Sequence, residues 1–91
     1  MYKINTSNKF EKDLVRCIKR NFDIDSFEVV LEILEESGHL PRKYKPHKLS
    51  GKYKDFWECH INADWLIIWR QNDKTNVIDL VRSGTHSQLF K

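Results

Sequence analysis

Glycine, proline and cysteine are scarce in this chain of 91 residues, which contains three glycines, two prolines and two cysteines. So few chain breakers exclude a low-complexity segment or a long flexible linker, and no internal repeat stands out. Two thiols without a framework spacing do not indicate a disulfide scaffold, so we expect Cys17 and Cys59 to be buried and reduced. We expect residues 1–91 to form a single domain with one modest core.

Long apolar runs are also absent. No stretch approaches the roughly 20 apolar residues that a membrane-spanning helix needs, and the N-terminus lacks the apolar region of a signal peptide. The sequence therefore predicts a cytoplasmic protein that does not associate with a membrane. A domain of this size has little room to enclose a large ligand, and we expect it to use no cofactor.

Charge is abundant and unevenly distributed. The net charge of +3 conceals six acids and no Lys or Arg in residues 21–40, followed by six Lys or Arg and no acid in residues 41–54. The basic stretch also holds Tyr44, Tyr53 and His47. Because ammonium groups attract phosphates and aromatic rings stack on bases, this loop predicts contact with RNA. A solvated loop without a ligand is the alternative.

Hydrophobic periodicity predicts a short strand over residues 2–5 and then two helices. Ser7 is the expected N-cap of the first helix, which ends near residue 21. A capping box of Asp25 and Glu28 is expected to start the second helix, and Gly38 to end it.

Three further segments alternate like strands and are bounded by turn residues. Short connections predict an antiparallel sheet, which gives an α+β fold of order β-α-α-β-β-β with two N-terminal helices packed on the sheet in two layers. A turn at residues 62–63 would place His60 opposite Trp65, although a shift of one residue would move His60 to the other face. The predicted strands are residues 55–61, 65–71 and 76–82.

Polar groups with chemical potential gather in the connecting regions of this predicted sheet. Taken singly, each has a structural explanation: His60 as a satisfied histidine, Asp64 as a turn residue, Trp65 as core, Arg82 paired with Asp79 or Glu58, and His86 in a solvated turn. Taken together, five polar groups in the connections of one sheet favour a functional site.

The order of these residues also resembles a known family, the YafQ-type toxins of the RelE/ParE superfamily. The resemblance spans nearly the whole chain. It implies a ribosome-dependent mRNA endonuclease of a bacterial type II toxin–antitoxin pair, with the cognate antitoxin, ribosome-bound mRNA and 16S rRNA as partners. The matching stretches are Tyr44-Lys-Pro-His47-Lys-Leu-Ser-Gly51, Glu58-Cys-His60-Ile, Asp64-Trp65 and Arg82-Ser-Gly84-Thr-His86-Ser-Gln-Leu-Phe90.

Such an enzyme needs no metal, because the 2′-OH of RNA can attack the neighbouring phosphorus and leave a cyclic phosphate and a 5′-OH. Imidazoles suit the proton transfers, since their pKa of roughly 6.5 lies near working pH, and a guanidinium suits the extra negative charge. The catalytic residues implied are His47, His60, Asp64, Arg82 and His86, and the substrate-binding residues are Lys52, Lys54, Trp65 and Phe90.

Within this scheme we hypothesise that Arg82 stabilises the transition state and that His86 protonates the leaving 5′ oxygen. His60 or Asp64 would deprotonate or orient the 2′-OH, and His47 would assist from the basic loop. Trp65 and Phe90 would position the bases.

Two other functions are compatible with parts of the sequence. A shell of three imidazoles and a carboxylate could hold a metal ion for a metal-dependent hydrolase, although the spacings match no metal motif closely. The sheet could instead be a non-catalytic scaffold that binds gyrase, as in ParE-like proteins, which would leave the matching histidines unexplained. The four residues of the metal alternative are His47, His60, Asp64 and His86.

Overall fold

A strand and two helices precede a series of strands in the computed structural model, which describes residues 1–90. Two short 3₁₀ turns, Arg42–Tyr44 and Gly51–Tyr53, shape the basic loop. In the part of the chain described, no helix is long and apolar enough to cross a membrane. The elements are β1 Lys3–Thr6, α1 Asn8–Lys19, α2 Ile24–Ser37, β2 His47–Lys48, β3 Trp57–Asn62, β4 Trp65–Asn72, β5 Val77–Gly84 and α3 His86–Leu89.

The predicted start of α1 and the predicted end of α2 are confirmed. Ser7 is the N-cap of α1, and its Oγ accepts a hydrogen bond of 2.9 Å from the backbone N of Phe10. Gly38 ends α2 in the left-handed conformation at φ 72°, which glycine adopts without steric cost. A Cβ at this position would lie 2.5 Å from the Tyr2 ring, so the site also has no room for a larger residue.

The predicted start of α2 is wrong by two residues. Asp23, not Asp25, is the N-cap, and its Oδ1 accepts a hydrogen bond of 3.1 Å from the backbone N of Asp25. Its Oδ2 accepts a second bond of 2.8 Å from the Ser26 hydroxyl. Asp23 thereby pairs one backbone N–H of the first turn and the Ser26 hydroxyl, and Asp25 becomes a residue of the helix itself.

The sheet has the order β1-β5-β4-β3-β2. Strands β3, β4 and β5 pair antiparallel, as predicted, which confirms the α+β class with a helical layer on a sheet. The prediction of a wholly antiparallel sheet is wrong at one edge, where β1 runs parallel to β5. Parallel neighbours require a long crossover, and here both helices and three strands separate the pair in sequence. At the other edge, β2 adds an unpredicted strand of two residues.

The register of the β3–β4 hairpin differs from the assumed one. His60 pairs with Leu66, and Asn62 pairs with Trp65 after an irregularity between His60 and Asn62. The turn is therefore Ala63–Asp64, and the predicted pairing of His60 with Trp65 is wrong. Because the side-chain period of a strand is two, this shift places His60 and Trp65 on opposite faces of the sheet.

These two faces have different environments. The helix face packs against α1 and α2 and carries Cys59, Ile61, Trp65, Ile67 and Trp69 in the main core. The site face carries Glu58, His60, Leu66 and Ile68, with a smaller apolar cluster around Leu66, Ile68 and Leu89.

Both cysteines are buried and free, as predicted. Burial raises the pKa of the Cys59 thiol to about 12, so it remains protonated at neutral pH.

Candidate active site

Cross-strand pairing aligns His47, Glu58 and Arg82 in one row across the site face. His47 on β2 pairs with Glu58 on β3, Glu58 pairs with Ile68 on β4, and Ile68 pairs with Arg82 on β5. Paired residues project to the same side of a sheet, and neighbouring strands lie about 4.8 Å apart. Residues far apart in sequence are therefore brought to one level of the sheet.

His47 lies in the basic loop and is held by two acceptors. Its Nδ1 lies 2.8 Å from the carbonyl oxygen of Lys45, and its Nε2 lies 3.2 Å from Oε1 of Glu58. Both partners are acceptors, so a neutral ring can donate to only one of them at a time. The ring is about half exposed, so a ligand on the site face can reach it.

Glu58 is the functional candidate that the sequence analysis did not select. It is 3% exposed, and its Oε2 has no hydrogen-bond partner within residues 1–90. One ligand atom each of Glu58, His60 and His86 lies within 4.8 Å of the others. A buried carboxylate with a free oxygen beside imidazoles is costly for folding alone. The sequence did contain a signal for Glu58: it lies two residues before His60 on a predicted strand, and residues two apart on a strand project to the same face.

His60 and His86 converge although 26 positions separate them in the chain. Their ring centroids are 5.5 Å apart. His60 is half-buried on β3, whereas His86 is exposed at the start of α3. Thr85 caps this short helix reciprocally with Gln88, and the capping box fixes the position of the imidazole.

Asp64 lies in the β3–β4 turn and holds His86. Its Oδ1 accepts hydrogen bonds of 3.2 Å from the backbone N and 3.3 Å from Nδ1 of His86. The backbone hydrogen bond, followed by the hydrogen bond and charge of the ring, lowers the pKa of Asp64 below its ordinary value of 3.8. The carboxylate fixes the ring orientation and leaves Nε2 of His86 for substrate.

Arg82 does not pair with Asp79 or Glu58. Its Nε donates a hydrogen bond of 2.7 Å to Oδ2 of Asp13, which is on α1. This hydrogen bond is the largest cause of a raised Arg82 pKa, and an interaction with Tyr53 adds to it. The guanidinium therefore remains charged and lies near the aromatic part of the site.

The aromatic residues of the site are not the predicted pair. Phe90 is 44% exposed, with its ring centroid 5.9 Å from that of His86 and 6.0 Å from that of Tyr53. Lys52 lies over the Tyr53 ring at 5.6 Å, and Lys54 is exposed in the same loop.

Trp65, in contrast, is only 1% exposed, which contradicts its prediction as a base-contacting residue. Its Nε1 donates a 2.7 Å hydrogen bond to the Ser83 hydroxyl, and its ring packs against Phe22 and Phe27. The indole is a core residue beneath the site.

A hollow of about 590 Å³ adjoins His60 on the side of the basic loop. Its lining includes Lys43 and Lys45, whose ammonium groups attract anions.

The fold and the site together define a class: a small α+β protein in which imidazoles and carboxylates cluster on one sheet face, next to a charged guanidinium and a cationic loop. Comparison with known proteins identifies the family within this class. A family model described as "Bacterial toxin of type II toxin-antitoxin system, YafQ" matches residues 2–91. The chain therefore belongs to the YafQ family of toxins from bacterial type II toxin–antitoxin systems.

Individual relatives agree over almost the whole chain. The mRNA interferase toxin YafQ of Escherichia coli K12 is 32% identical over 88 residues, covering 96% of this chain and 94% of the relative. The YafQ chain in the crystal structure of the E. coli DinJ–YafQ complex is 29% identical, with a TM-score of 0.89 and 100% of each chain covered. A metal-bound toxin from Helicobacter pylori is 42% identical, with a TM-score of 0.88 and coverage of 99% and 100%.

Proposed function

We propose that this protein is an mRNA interferase, an endoribonuclease that cuts mRNA on the ribosome and so blocks translation. The observation that carries the proposal is the placement of His60 beside His86, with His86 held in turn by Asp64. The E. coli relative that bears the name mRNA interferase shares the family and the fold. The gyrase-binding alternative gives these groups no role.

Cleavage proceeds by attack of the 2′-OH on the adjacent phosphorus without a metal ion. The O2′–P bond forms as the P–O5′ bond breaks, and the products are a cyclic phosphate and a 5′-OH. Two proton transfers suffice: one removes the 2′ proton and one delivers a proton to O5′. Positioned imidazoles contribute about 10²–10⁴-fold to such steps.

His86 is the general acid. Its Nδ1 donates to Asp64, so the proton for O5′ comes from Nε2. The arrangement is that of a carboxylate that orients an imidazole and stabilises its charged form. The Asp64 carboxylate is engaged twice by His86, which makes it the orienting group and leaves proton removal to another residue.

His60 is the general base for the 2′-OH. It is close enough to His86 to reach the same phosphodiester. The free Oε2 of Glu58 lies in the same cluster and stabilises the imidazolium that forms when His60 takes the proton.

Two cations stabilise the negative charge that develops on phosphorus. In its protonated form His47, held at one nitrogen by Lys45 and at the other by Glu58, supplies positive charge and transfers no proton. Arg82 supplies a guanidinium, which carries charge at all relevant pH values and offers parallel donors to phosphate oxygens.

The substrate is held by the cationic loop and by the exposed ring of Phe90. Lys52 and Lys54 contact the phosphates of mRNA or 16S rRNA, and Phe90, supported by Tyr53, stacks on a base. Trp65 supports the site from the core and does not stack on the substrate.

The cognate partner is an antitoxin, as DinJ is for the YafQ chain in the E. coli complex. An acidic segment of that antitoxin would cover the cationic loop of residues 41–54, where six Lys or Arg occur without an acid. Such a segment blocks substrate phosphates and the imidazoles together.

The test is cleavage of translated mRNA by wild type and by His86→Ala, with 5′ ends mapped at nucleotide resolution. We expect His86→Ala to lose about 10²–10⁴-fold in rate. His39→Ala is the matched control, because His39 is an exposed histidine outside the site, and it should cleave normally. Wild-type cleavage by His86→Ala would contradict the acid assignment. Cleavage of a transcript with a 2′-deoxy nucleotide at the cut site would contradict internal attack.

A metal-dependent reaction is the second candidate, because one specific cluster favours it. Glu58, His60 and His86 offer three ligand atoms close together, with the free Glu58 oxygen among them, and the H. pylori relative was crystallised with metal. These residues fit a divalent ion of the kind that imidazole and carboxylate bind.

The two candidates predict opposite responses to metal. A bound ion would act as a Lewis acid in a hydrolase, whereas in our proposal it would occupy the lone pairs that the proton transfers need. We expect cleavage to persist in a chelator selective for transition-metal ions, which leaves the Mg²⁺ of the ribosome in place, and to fall when Zn²⁺ is added. Loss of activity in chelator, restored by Zn²⁺, would establish the second candidate.

A further inference from the structure

One buried charge in the protein lies outside the groups assigned so far. Asp13 is on α1, whose other charged residues are mostly basic and exposed, and it is only 2% exposed. Burying a carboxylate is unfavourable unless it is fully paired and hydrogen-bonded. The hydrogen bonds of Asp13 therefore indicate what the buried carboxylate does.

Asp13 is tied to the end of β5 by three hydrogen bonds. Arg82 donates to it from Nε at 2.7 Å and from Nη2 at 3.3 Å, so both carboxylate oxygens contact the same edge of the guanidinium. The backbone N of Ser83 donates a third bond of 3.0 Å to Oδ2. These partners are 69 and 70 positions away in the sequence. Arg16 is a weaker and exposed neighbour at 3.7 Å.

The pairing restricts the arginine without consuming all its donors. Two-point contact through Nε and Nη2 fixes the plane of the guanidinium, because both bonds lie in that plane. The contact with Asp13 uses only Nε and Nη2 of Arg82, so Nη1 takes no part in it. An unpaired arginine side chain would have to lose its rotamer freedom when substrate binds.

The same carboxylate is connected to β4, the strand that begins directly after Asp64. Ser83, held by Asp13, accepts a hydrogen bond of 2.7 Å from Trp65 Nε1 and donates one of 2.9 Å to the Leu66 carbonyl. The buried network thus joins α1, the end of β5 and the start of β4. Asp64 directly precedes this start and holds His86.

We propose that Asp13 is a positioning residue for the reaction, which orients the Arg82 guanidinium toward the scissile phosphate from the helical layer behind the site. This rests on the proposed role of Arg82 in the nuclease reaction. Asp13 does not touch the substrate, and its effect passes through Arg82.

The test is a double-mutant cycle in single-turnover cleavage of ribosome-bound mRNA. Asp13→Asn preserves shape but removes the charge. We expect it to lower the rate at saturating ribosomes about tenfold or more, since a small misplacement of a transition-state group has effects of that size. The ribosome concentration for half-maximal rate should not change. Glu11→Gln removes an exposed acid from the same helix and should have no effect.

The Arg82→Lys background separates positioning from a general structural role. Lysine cannot make the planar two-point contact, so adding Asp13→Asn to Arg82→Lys should change the rate less than twofold. An equal loss in both backgrounds would overturn the inference, because Asp13 would then act independently of Arg82.

Failure of the inference differs from failure of the proposed function. If Arg82→Ala is inactive while Asp13→Asn cleaves normally, only the positioning role is wrong; if Arg82→Ala also cleaves normally, the proposed role of Arg82 is wrong. Should Asp13→Asn not fold, NMR of the wild type decides. Slow solvent exchange of the Arg82 Nε proton relative to exposed Arg42 supports the pairing, and equal exchange overturns it.

Discussion

The helix face and the site face of the sheet are built from alternate residues of the same strands. On β3, Cys59 and Ile61 enter the core, whereas Glu58 and His60 project to the site. Polar groups on the helix face, such as Trp65 Nε1, are hydrogen-bonded, but the site face retains a buried oxygen without a partner. The helix face is consistent with stability alone, whereas the unpaired oxygen of the site face has a cost that stability does not explain.

Substituting one aromatic residue from each region should separate the two roles most clearly. Trp65→Ala should reduce the free energy of unfolding by about 3–5 kcal/mol, because it leaves a cavity and removes the hydrogen bond that the indole donates to the Ser83 hydroxyl. Phe90→Ala should change it by less than about 1 kcal/mol but weaken cleavage, since base stacking is worth about 1–3 kcal/mol. Urea unfolding and cleavage assays measure the two effects. A Trp65→Ala protein with full stability and no cleavage would place Trp65 at the substrate after all.

Glu58→Gln should have a smaller effect, and one that differs between stability and activity. The variant keeps the volume of the side chain and an oxygen that can accept a hydrogen bond from His47. It replaces a buried carboxylate, whose Oε2 has no hydrogen-bond partner, with a neutral amide. We expect the free energy of unfolding to stay the same or rise by about 1 kcal/mol, while cleavage falls about tenfold. Glu32→Gln is the control, because Glu32 is an exposed residue of α2. A marked loss of stability would mean that Glu58 serves the fold.

The smallest expected effect is on the titration of Asp64. His86→Ala removes the ring but keeps the backbone N–H, the largest cause of the lowered pKa, so the pKa should rise toward 3.8 without reaching it. A lowered pKa stabilises the fold above 3.8, and this contribution disappears as pH falls through the folded value. In the variant it should therefore disappear at a higher pH. Carboxyl ¹³C NMR measures the shift, and His39→Ala should leave it unchanged.

Local signals in the sequence were sufficient for much of the fold. Ser7 and Gly38 act through their own backbone geometry and nearest turn, so their positions were predictable. The start of α2 was ambiguous, because Asp23 and Asp25 are both good caps, and the two hydrogen bonds of Asp23 decide between them.

Non-local contacts were not predictable in this way. The bulge between His60 and Asn62 shifts the hairpin, and only this register reveals that Trp65 is core. Asp13 looked like one acid in a basic helix, because its partner Arg82 is 69 positions away. The family resemblance supplied Phe90 as a candidate, but neither it nor the residue pattern supplied the Asp64 contact that orients His86.

The parallel pairing of β1 with β5 has a consequence for how activity is gained and lost. Residues 3–6 reach their neighbours only after a loop of more than seventy residues has closed, a step that is slow and entropically unfavourable. Until then, the strand that carries Arg82 has an open edge. A partly synthesised or locally unravelled chain should therefore be harmless to its host cell, and toxicity should appear all at once with the cooperative native state.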